Sequence, residues 1–244
     1  MKRTLFIVFM LISCSIFAER IQEISNPTAG ILKKGEAKIY TKIYKDNGMI
    51  TGASVGLFDS FMFGFTYGGE ELVGDKKPLW HDKVDFNARF RLIDETTSIP
   101  AIVIGFDSQG HGKYYKEEKR YDIKSKGFYT VASKNFNFLG LFGLDAGLNY
   151  SLENHDNDKD LNVFCGAYKT IGKSITAIAE YDFATNDNQK HPLHGKGNGY
   201  FNAGLELQIN DQFSIKVLAH DIFMNRPFVD SFNRSVQINY RWNY

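Results

Sequence analysis

The residues with the clearest capacity for chemistry are charged side chains at alternate positions of short apolar segments. In residues 84–92, Asp85, Arg89 and Arg91 are interleaved with apolar and aromatic neighbours. Successive residues of a strand point to opposite faces, so these charges share one face. We predict that ten such residues line a common interior: Asp85, Arg89, Arg91, Asp107, Asp145, Glu180, Asp182, Glu206, Lys216 and Arg241.

Two arrangements of these ten residues agree with the sequence. Unpaired charges inside a low-dielectric wall are costly, so each charge must find a partner or meet water. The ten residues form either a salt-bridge ladder that fills the interior or the lining of a narrow water-filled channel. Glycines on the same face leave room for a channel or admit large neighbours such as Arg89; they are Gly52, Gly56, Gly64, Gly143, Gly147, Gly166 and Gly204.

The best triad-like grouping is His220 and Asp221 with Ser231 or Ser235 on the adjoining strand. Hydrolysis by a serine nucleophile requires a base and an orienting acid within hydrogen-bond reach. No recognisable nucleophile motif surrounds either serine. We therefore assign no catalytic residue and keep lipid hydrolysis as an alternative.

A second histidine grouping lies in a polar segment. His191 and His194 are three residues apart and close to Asp187, and this donor set can hold a metal ion. The segment also contains glycine and proline, which is typical of a solvated loop. We predict no metal site and no cofactor.

The element that positions these side chains is clearest at the carboxyl end. Residues 236–244 alternate strictly between apolar or aromatic and polar side chains, and the last residue is aromatic. This pattern is typical of the closing strand of an outer-membrane barrel, with the apolar face toward lipid. Tyr240, Trp242 and Tyr244 are predicted to lie at the headgroup level.

The same period of two recurs along the chain, and short turns alternate with longer polar loops. Such an alternation is typical of barrels with periplasmic turns and extracellular loops. We therefore predict an all-β fold, a transmembrane antiparallel up-and-down β-barrel of about 12 strands, with about 10 to 14 as the limits. The predicted strands are residues 37–44, 49–58, 61–67, 84–92, 101–107, 128–134, 144–150, 161–168, 177–183, 201–209, 213–220 and 236–244.

The amino-terminal region is predicted to contain two segments before the barrel. Residues 1–18 combine a basic start, a short apolar core and a small-residue end, as in a cleaved secretory signal peptide; Cys14 leaves lipoprotein-type processing as an alternative. Residues 19–35 form a leader that lies in the periplasm or plugs the barrel, and residues 36–244 form the barrel. The net charge of +1 provides no basic excess for phosphates, so we exclude nucleic acid as a partner.

Several further motifs are shared with one known family. They are Asn26-Pro27-Thr28-Ala29-Gly30-Ile31-Leu32, Ser54-Val55-Gly56-Leu57-Phe58-Asp59 and, most specifically, Gly105-Phe106-Asp107-Ser108-Gln109-Gly110. With these motifs the chain resembles the YjbH family of outer-membrane proteins, which are associated with exopolysaccharide production. The resemblance implies a single-barrel form of that family and supplies no catalytic residues.

Together, the patterns and the resemblance predict a protein of the outer membrane of a Gram-negative-type, diderm bacterium. We expect a role in the export or organisation of surface polysaccharide. Passive diffusion of sugars or ions is the alternative, and lipid hydrolysis is the second alternative. The expected partners are outer-membrane lipid and lipopolysaccharide, the barrel-assembly machinery during insertion, and polysaccharide.

Overall fold

The computed structural model describes residues 19–189, 193–227, 229 and 231–244. The predicted signal peptide, residues 1–18, lies outside this part of the chain, as does His191. Among the described residues, no helix is long and apolar enough to cross a membrane.

Fifteen strands are described, and twelve of them close into one antiparallel barrel. The short β4 pairs with the end of β3, β7 and β8 form a separate hairpin, and β1 pairs with β15 to close the barrel. The predicted fold is therefore confirmed. The strands are β1 (Glu36–Tyr44), β2 (Gly48–Phe58), β3 (Phe61–Glu70), β4 (Leu79–Trp80), β5 (Asp85–Ile93), β6 (Ala101–Asp107), β7 (His111–Tyr115), β8 (Arg120–Ile123), β9 (Gly127–Asn137), β10 (Leu141–Tyr150), β11 (Asn162–Ile171), β12 (Ile175–Asp182), β13 (Tyr200–Gln208), β14 (Phe213–His220) and β15 (Asn233–Asn243).

Local sequence explains the tight connection between β1 and β2. Asp46 and Asn47 both have a positive φ, 57° and 50°, and Gly48 follows. Two successive residues in the left-handed region are characteristic of a type I′ turn, which Asp and Asn tolerate better than most residues. This turn fixes the register in which Tyr44 lies opposite Gly48.

The outer face of the barrel carries the apolar half of each alternating strand. Large side chains such as Phe65, Phe86 and Phe128 are about half exposed. We call the end of the barrel that carries the short turns the turn end. Near it, the rings of Tyr240 and Trp242 stack with their centroids 5.6 Å apart. An apolar belt around a closed barrel is the surface that lipid requires.

The inner face carries more apolar residues than the strand pattern predicts, and the leader packs against these residues. Three apolar clusters join leader residues to inward-facing wall residues. Burying these groups removes apolar surface from water on both sides of the contact. The clusters consist of Ala29 with Ala101, Val103, Tyr129, Val131 and Phe164; Ile21, Ile31 and Leu32 with Met62; and Ile24 with Tyr168, Ile178 and Leu218.

Candidate functional site

The ten predicted interior residues do not pair with one another. Within the part of the chain that the structure describes, no ion pair joins two of them, so the ladder, one of the two arrangements that the sequence allows, does not form there. Instead, seven of them contact the leader, and the other three contact loops at the end of the barrel opposite the short turns. The leader contacts are made by Arg89, Arg91, Asp145, Glu180, Glu206, Lys216 and Arg241, and the loop contacts by Asp85, Asp107 and Asp182.

One attachment of the leader to the wall is a wall carboxylate that accepts hydrogen bonds from backbone N–H groups of the leader. The leader turns back on itself between Gln22 and Pro27. At this turn the amides of Ile24, Ser25 and Asn26 donate to the Glu180 carboxylate at 2.8–3.0 Å. Successive N–H groups that converge on one anion form a nest, and hydrogen bonds to a charged group are stronger than neutral ones.

Wall cations bind the carbonyl groups of the leader in the same way. The Lys216 Nζ donates to the Gln22 and Glu23 oxygens at 3.1 and 2.9 Å. Arg89 donates to the carbonyls of Ile21 and Thr28. Backbone groups that strand pairing leaves unsatisfied in the leader are therefore satisfied by wall side chains.

Two ion pairs bind the leader at the turn end of the barrel. The Arg20 Nη1 lies 2.6 Å from the Glu206 carboxylate. The Arg91 guanidinium forms a bidentate pair with Glu19 and also donates to the Ala29 carbonyl. The leader is thus attached to the wall at both its beginning and its turn.

One leader carboxyl lies in a position that opposes ionisation. Glu23 is buried beneath Gly166 and close to the Asp145 carboxyl. Burial and the nearby Asp145 together raise the pKa of Glu23 to about 8, against the opposing effect of Arg20. The protonated carboxyl can donate to Asp145, whereas the ionised one is repelled by it.

Leader docking should therefore weaken as the pH rises. The docked Glu23 binds a proton more tightly than the free side chain, whose pKa is 4.5. Stability is present below pH 4.5 and is lost progressively up to pH 8, by at most about 1.4 kcal/mol per pH unit. Glu23→Gln should remove most of this dependence, as measured by hydrogen exchange of the leader at pH 6 and pH 9.

Glu117→Gln, on an exposed loop, is the matched control and should keep the native pH dependence. Equal exchange at the two pH values in the native chain, after correction for the intrinsic rates, would contradict the assigned role of Glu23.

The end of the barrel opposite the short turns is covered by three loop segments, residues 108–126, 151–161 and 183–189, which we together call the cap. Arg120 is fully buried at its centre. Its guanidinium lies 2.6 Å from Asp156 and 2.8 Å from Asp187. The loop containing residues 108–126 is therefore partly folded inward.

The acidic partner of Arg120 is shared by two more basic groups. The Lys124 Nζ and the His194 Nε2 lie 2.8 and 2.9 Å from the Asp156 carboxylate. Burial opposes ionisation, but His194, Lys124 and Arg120 hold the pKa of Asp156 well below its usual range. Asp156, Asp187 and His194 are close enough to share a metal ion, but Arg120 and Lys124 already supply the neutralising charge there.

The β7–β8 hairpin of the cap is also joined to the wall. The Tyr121 hydroxyl donates to Asp85, and Arg226 forms a bidentate pair with Asp122. The His111 ring stacks on the His220 ring with centroids 4.1 Å apart. The cap is therefore held to several sides of the barrel mouth.

The triad-like grouping noted in the sequence assembles only in part. His220 Nε2 lies 2.7 Å from the Ser235 hydroxyl, and both residues are buried on the inner face. The Asp221 carboxylate instead accepts hydrogen bonds from the amides of Asn225 and Arg226. Ser231 is exposed. Among the described residues no carboxylate hydrogen-bonds to the pair, and the pair faces the interior and not the lipid.

Between the leader and the cap remains a chamber of about 70 Å³. Two larger cavities, of about 360 and 500 Å³, lie beside the leader at the turn end. The chamber and the smaller of these share Ile21, Gln22 and Lys38 in their walls. Two chamber residues, Lys38 and Lys42, are not among the ten predicted interior residues, although both occupy the inward phase of β1.

Comparisons with known proteins agree with this architecture. No family model matches the chain, and no curated protein matches it either. The solved structure of the KdgM porin has a TM-score of 0.53 at 10% identity, covering 84% of this chain and 98% of that one. The KdgM porin in complex with disordered oligogalacturonate gives the same values. Omp33 of Acinetobacter baumannii has a TM-score of 0.48 at 6% identity, covering 86% of this chain and 97% of that one.

At this identity the KdgM likeness shows the fold alone. The closed barrel, its apolar belt and its alternating turns and loops are those of an outer-membrane protein. The predicted localisation is thus confirmed, and the short turns are assigned to the periplasmic side.

Proposed function

We propose that the chain is a passive diffusion channel of the outer membrane that the leader and the cap hold closed. The observation that carries this proposal is that the cavities beside the leader adjoin one another. The periplasmic cavity of about 360 Å³ adjoins the central chamber at Lys38. A lumen filled for stability alone would not need a polar path along one side of its filling.

The arrangement of the charges also supports a closed channel. Seven wall residues bind the leader through polar contacts that water can replace one by one. Inner walls of porins are polar and water-filled, whereas those of other barrels are plugged. This wall remains polar where the leader turn is attached, so leader displacement would expose groups that water solvates well.

The fold likeness is compatible with this function. The KdgM porin is a barrel of the same fold, and one of its structures is a complex with disordered oligogalacturonate. The polysaccharide role implied by the YjbH resemblance stays a prediction, since no comparison bears on that family. Lipid hydrolysis has less support, because His220 and Ser235 face away from lipid.

The proposal is tested by conductance of the refolded chain in a planar lipid bilayer. We expect rare, small steps from the native protein. Lys38→Trp should reduce the unit conductance by at least about half, because pore diameter at a constriction limits flow. Ile39→Trp, at the adjacent outward-facing position, is the matched control and should leave the conductance unchanged.

Two results would overturn the proposal. One is the absence of steps from a demonstrably folded barrel, both in the native chain and after the leader has been released. The other is an equal effect of the Lys38 and Ile39 substitutions, which would place the conducting path elsewhere.

A further inference from the structure

The chamber between the leader and the cap has an unbalanced set of charges. Two of its basic residues are neutralised, since Lys126 pairs with Asp182 and Lys124 with Asp156. The remaining basic residues are Lys38, Lys42 and Arg89. Within the described residues, none of these three has a carboxylate within ion-pair distance.

Their existing contacts are weak or partial. The Lys42 Nζ reaches one acceptor, the Ile24 carbonyl, at 3.4 Å, and its side chain is buried. Arg89 is also buried, and its Nε lacks a hydrogen-bond partner among the described residues. Asp107 is the one acidic residue of the chamber that no cation pairs within the described ranges. The chamber therefore carries an excess of positive charge.

Buried cations without partners are costly, because removing a charge from water is unfavourable unless an opposite charge replaces the solvent. Three basic groups around one small space create the field that an anion would neutralise. The wall thus favours an anionic occupant over a neutral one.

The neutral part of the wall defines the occupant further. The Tyr40 hydroxyl and the Asn87 amide face the chamber and make no hydrogen bond to the described residues. A volume of about 70 Å³ corresponds to about five water-sized positions. This space suits a small anion with hydroxyl groups, and the chamber shares the wall residues Ile21, Gln22 and Lys38 with the periplasmic cavity.

We propose that the chamber is a binding site for a small oxyanion, a carboxylate or phosphate, held by Lys38, Lys42 and Arg89. The proposed site rests on the proposed channel function, because it would be the binding site that selects which solutes pass. Tyr40 and Asn87 would bind hydroxyl groups of the same molecule. The anion would bridge β5, through Arg89, and β1, through Lys38 and Lys42, and Arg89 also binds the leader carbonyls.

Isothermal titration calorimetry of the detergent-solubilised chain tests this site without reference to conductance. The probes are glycerate, inorganic phosphate and, as the neutral counterpart, glycerol. We expect one site per chain for glycerate or phosphate and no heat from glycerol. Lys42→Met should weaken binding by at least about tenfold, since it removes one of three nearby positive charges.

Lys159→Met, at an exposed loop position, is the matched control and should bind as the native chain does. Lys38→Met provides the same test should the Lys42 variant not fold. Absence of binding of both anions, or equal binding by the Lys42, Lys38 and Lys159 variants, would overturn the site. Binding without conductance would support the site and count against the channel, whereas conductance without binding would do the reverse.

Discussion

Glu180→Gln is expected to release the leader from the barrel wall. The carboxylate accepts from three consecutive leader amides and from the Asn202 side chain. Glutamine has nearly the same shape, but it is neutral and presents an N–H₂ group where an acceptor is needed. Each hydrogen bond to a charged group contributes about 1.5–3 kcal/mol, so the loss should be about 3 kcal/mol or more.

The consequence should be visible in both structure and transport. Hydrogen exchange of residues 20–30 should rise by at least about a hundredfold, because 1.4 kcal/mol corresponds to about a factor of ten. Channel steps should become frequent, since the cavities on the two sides of the leader would merge. The barrel strands should keep their native protection, because strand pairing does not depend on Glu180.

Glu95→Gln is the matched control for this prediction. Glu95 also accepts from a backbone amide, that of Asn135, and from its side chain, but at the turn end and outside the leader. Its replacement should leave leader exchange and conductance unchanged. Equal behaviour of the Glu180 and Glu95 variants would show that apolar packing of Ile21, Ile24 and Leu32 holds the leader without the Glu180 hydrogen bonds.

The barrel could be predicted because its signal is local. Each strand carries its own alternation, as in residues 84–92 and 236–244, and both segments lie in the barrel, as β5 and β15. The twelve predicted strands all occur, with ends that differ by a few residues. Asp85, Glu180 and Lys216, which alternation assigns to the inner face, are buried in the structure, as expected where a strand that is lipid-exposed on one side places its charges on the other.

A leader that plugs the barrel was one of two predicted arrangements, but the choice between them could not be predicted, because it depends on contacts between residues far apart in the chain. The partner of Glu180 is a backbone turn more than 150 positions away, and backbone amides have no sequence signature. One signal was present, however. Ile21, Ile24, Ile31 and Leu32 make the leader too apolar for a segment left in the periplasm, and such residues favour burial.

Interruptions of the alternation carried a second signal. Met62, Phe164, Ile178 and Leu218 occupy inward positions at which the pattern predicts polar side chains. Each packs in a cluster with leader residues. An apolar residue in the lumen phase of a predicted barrel therefore indicates a position that an inserted segment covers, since an apolar side chain facing water would gain nothing there.

Arg120→Met is expected to loosen the cap while the barrel remains folded. Arg120 neutralises Asp156 and Asp187 from a fully buried position and donates through Nε to the Tyr121 carbonyl. Removing one partner of a buried ion cluster costs about 3–5 kcal/mol, because the remaining charges are left uncompensated. Methionine fills similar space without charge, so the effect reports on electrostatics more than on a cavity.

The two acids should respond unequally. In the variant, Asp156 keeps its ion pairs with Lys124 and His194. Asp187 keeps the hydrogen bond from the Tyr200 hydroxyl, and His194 is the one basic group that remains close to it within the described ranges. Burial already raises the pKa of Asp187, and Arg120 opposes that rise. In the variant we therefore expect the pKa of Asp187 to rise further, so cap stability should fall as the pH increases through that pKa.

Hydrogen exchange of residues 108–126 and 183–189 measures this loosening, with β10 and β11 as the internal reference. Arg234→Met, which removes an exposed arginine from the outer end of β15, is the matched control and should leave the cap protected. Equal cap exchange in the two variants would show that the Tyr121 and Arg226 contacts suffice to hold the hairpin. Loss of protection in β10 and β11 as well would mean that cap and wall unfold together, and Arg120 would then stabilise the whole barrel.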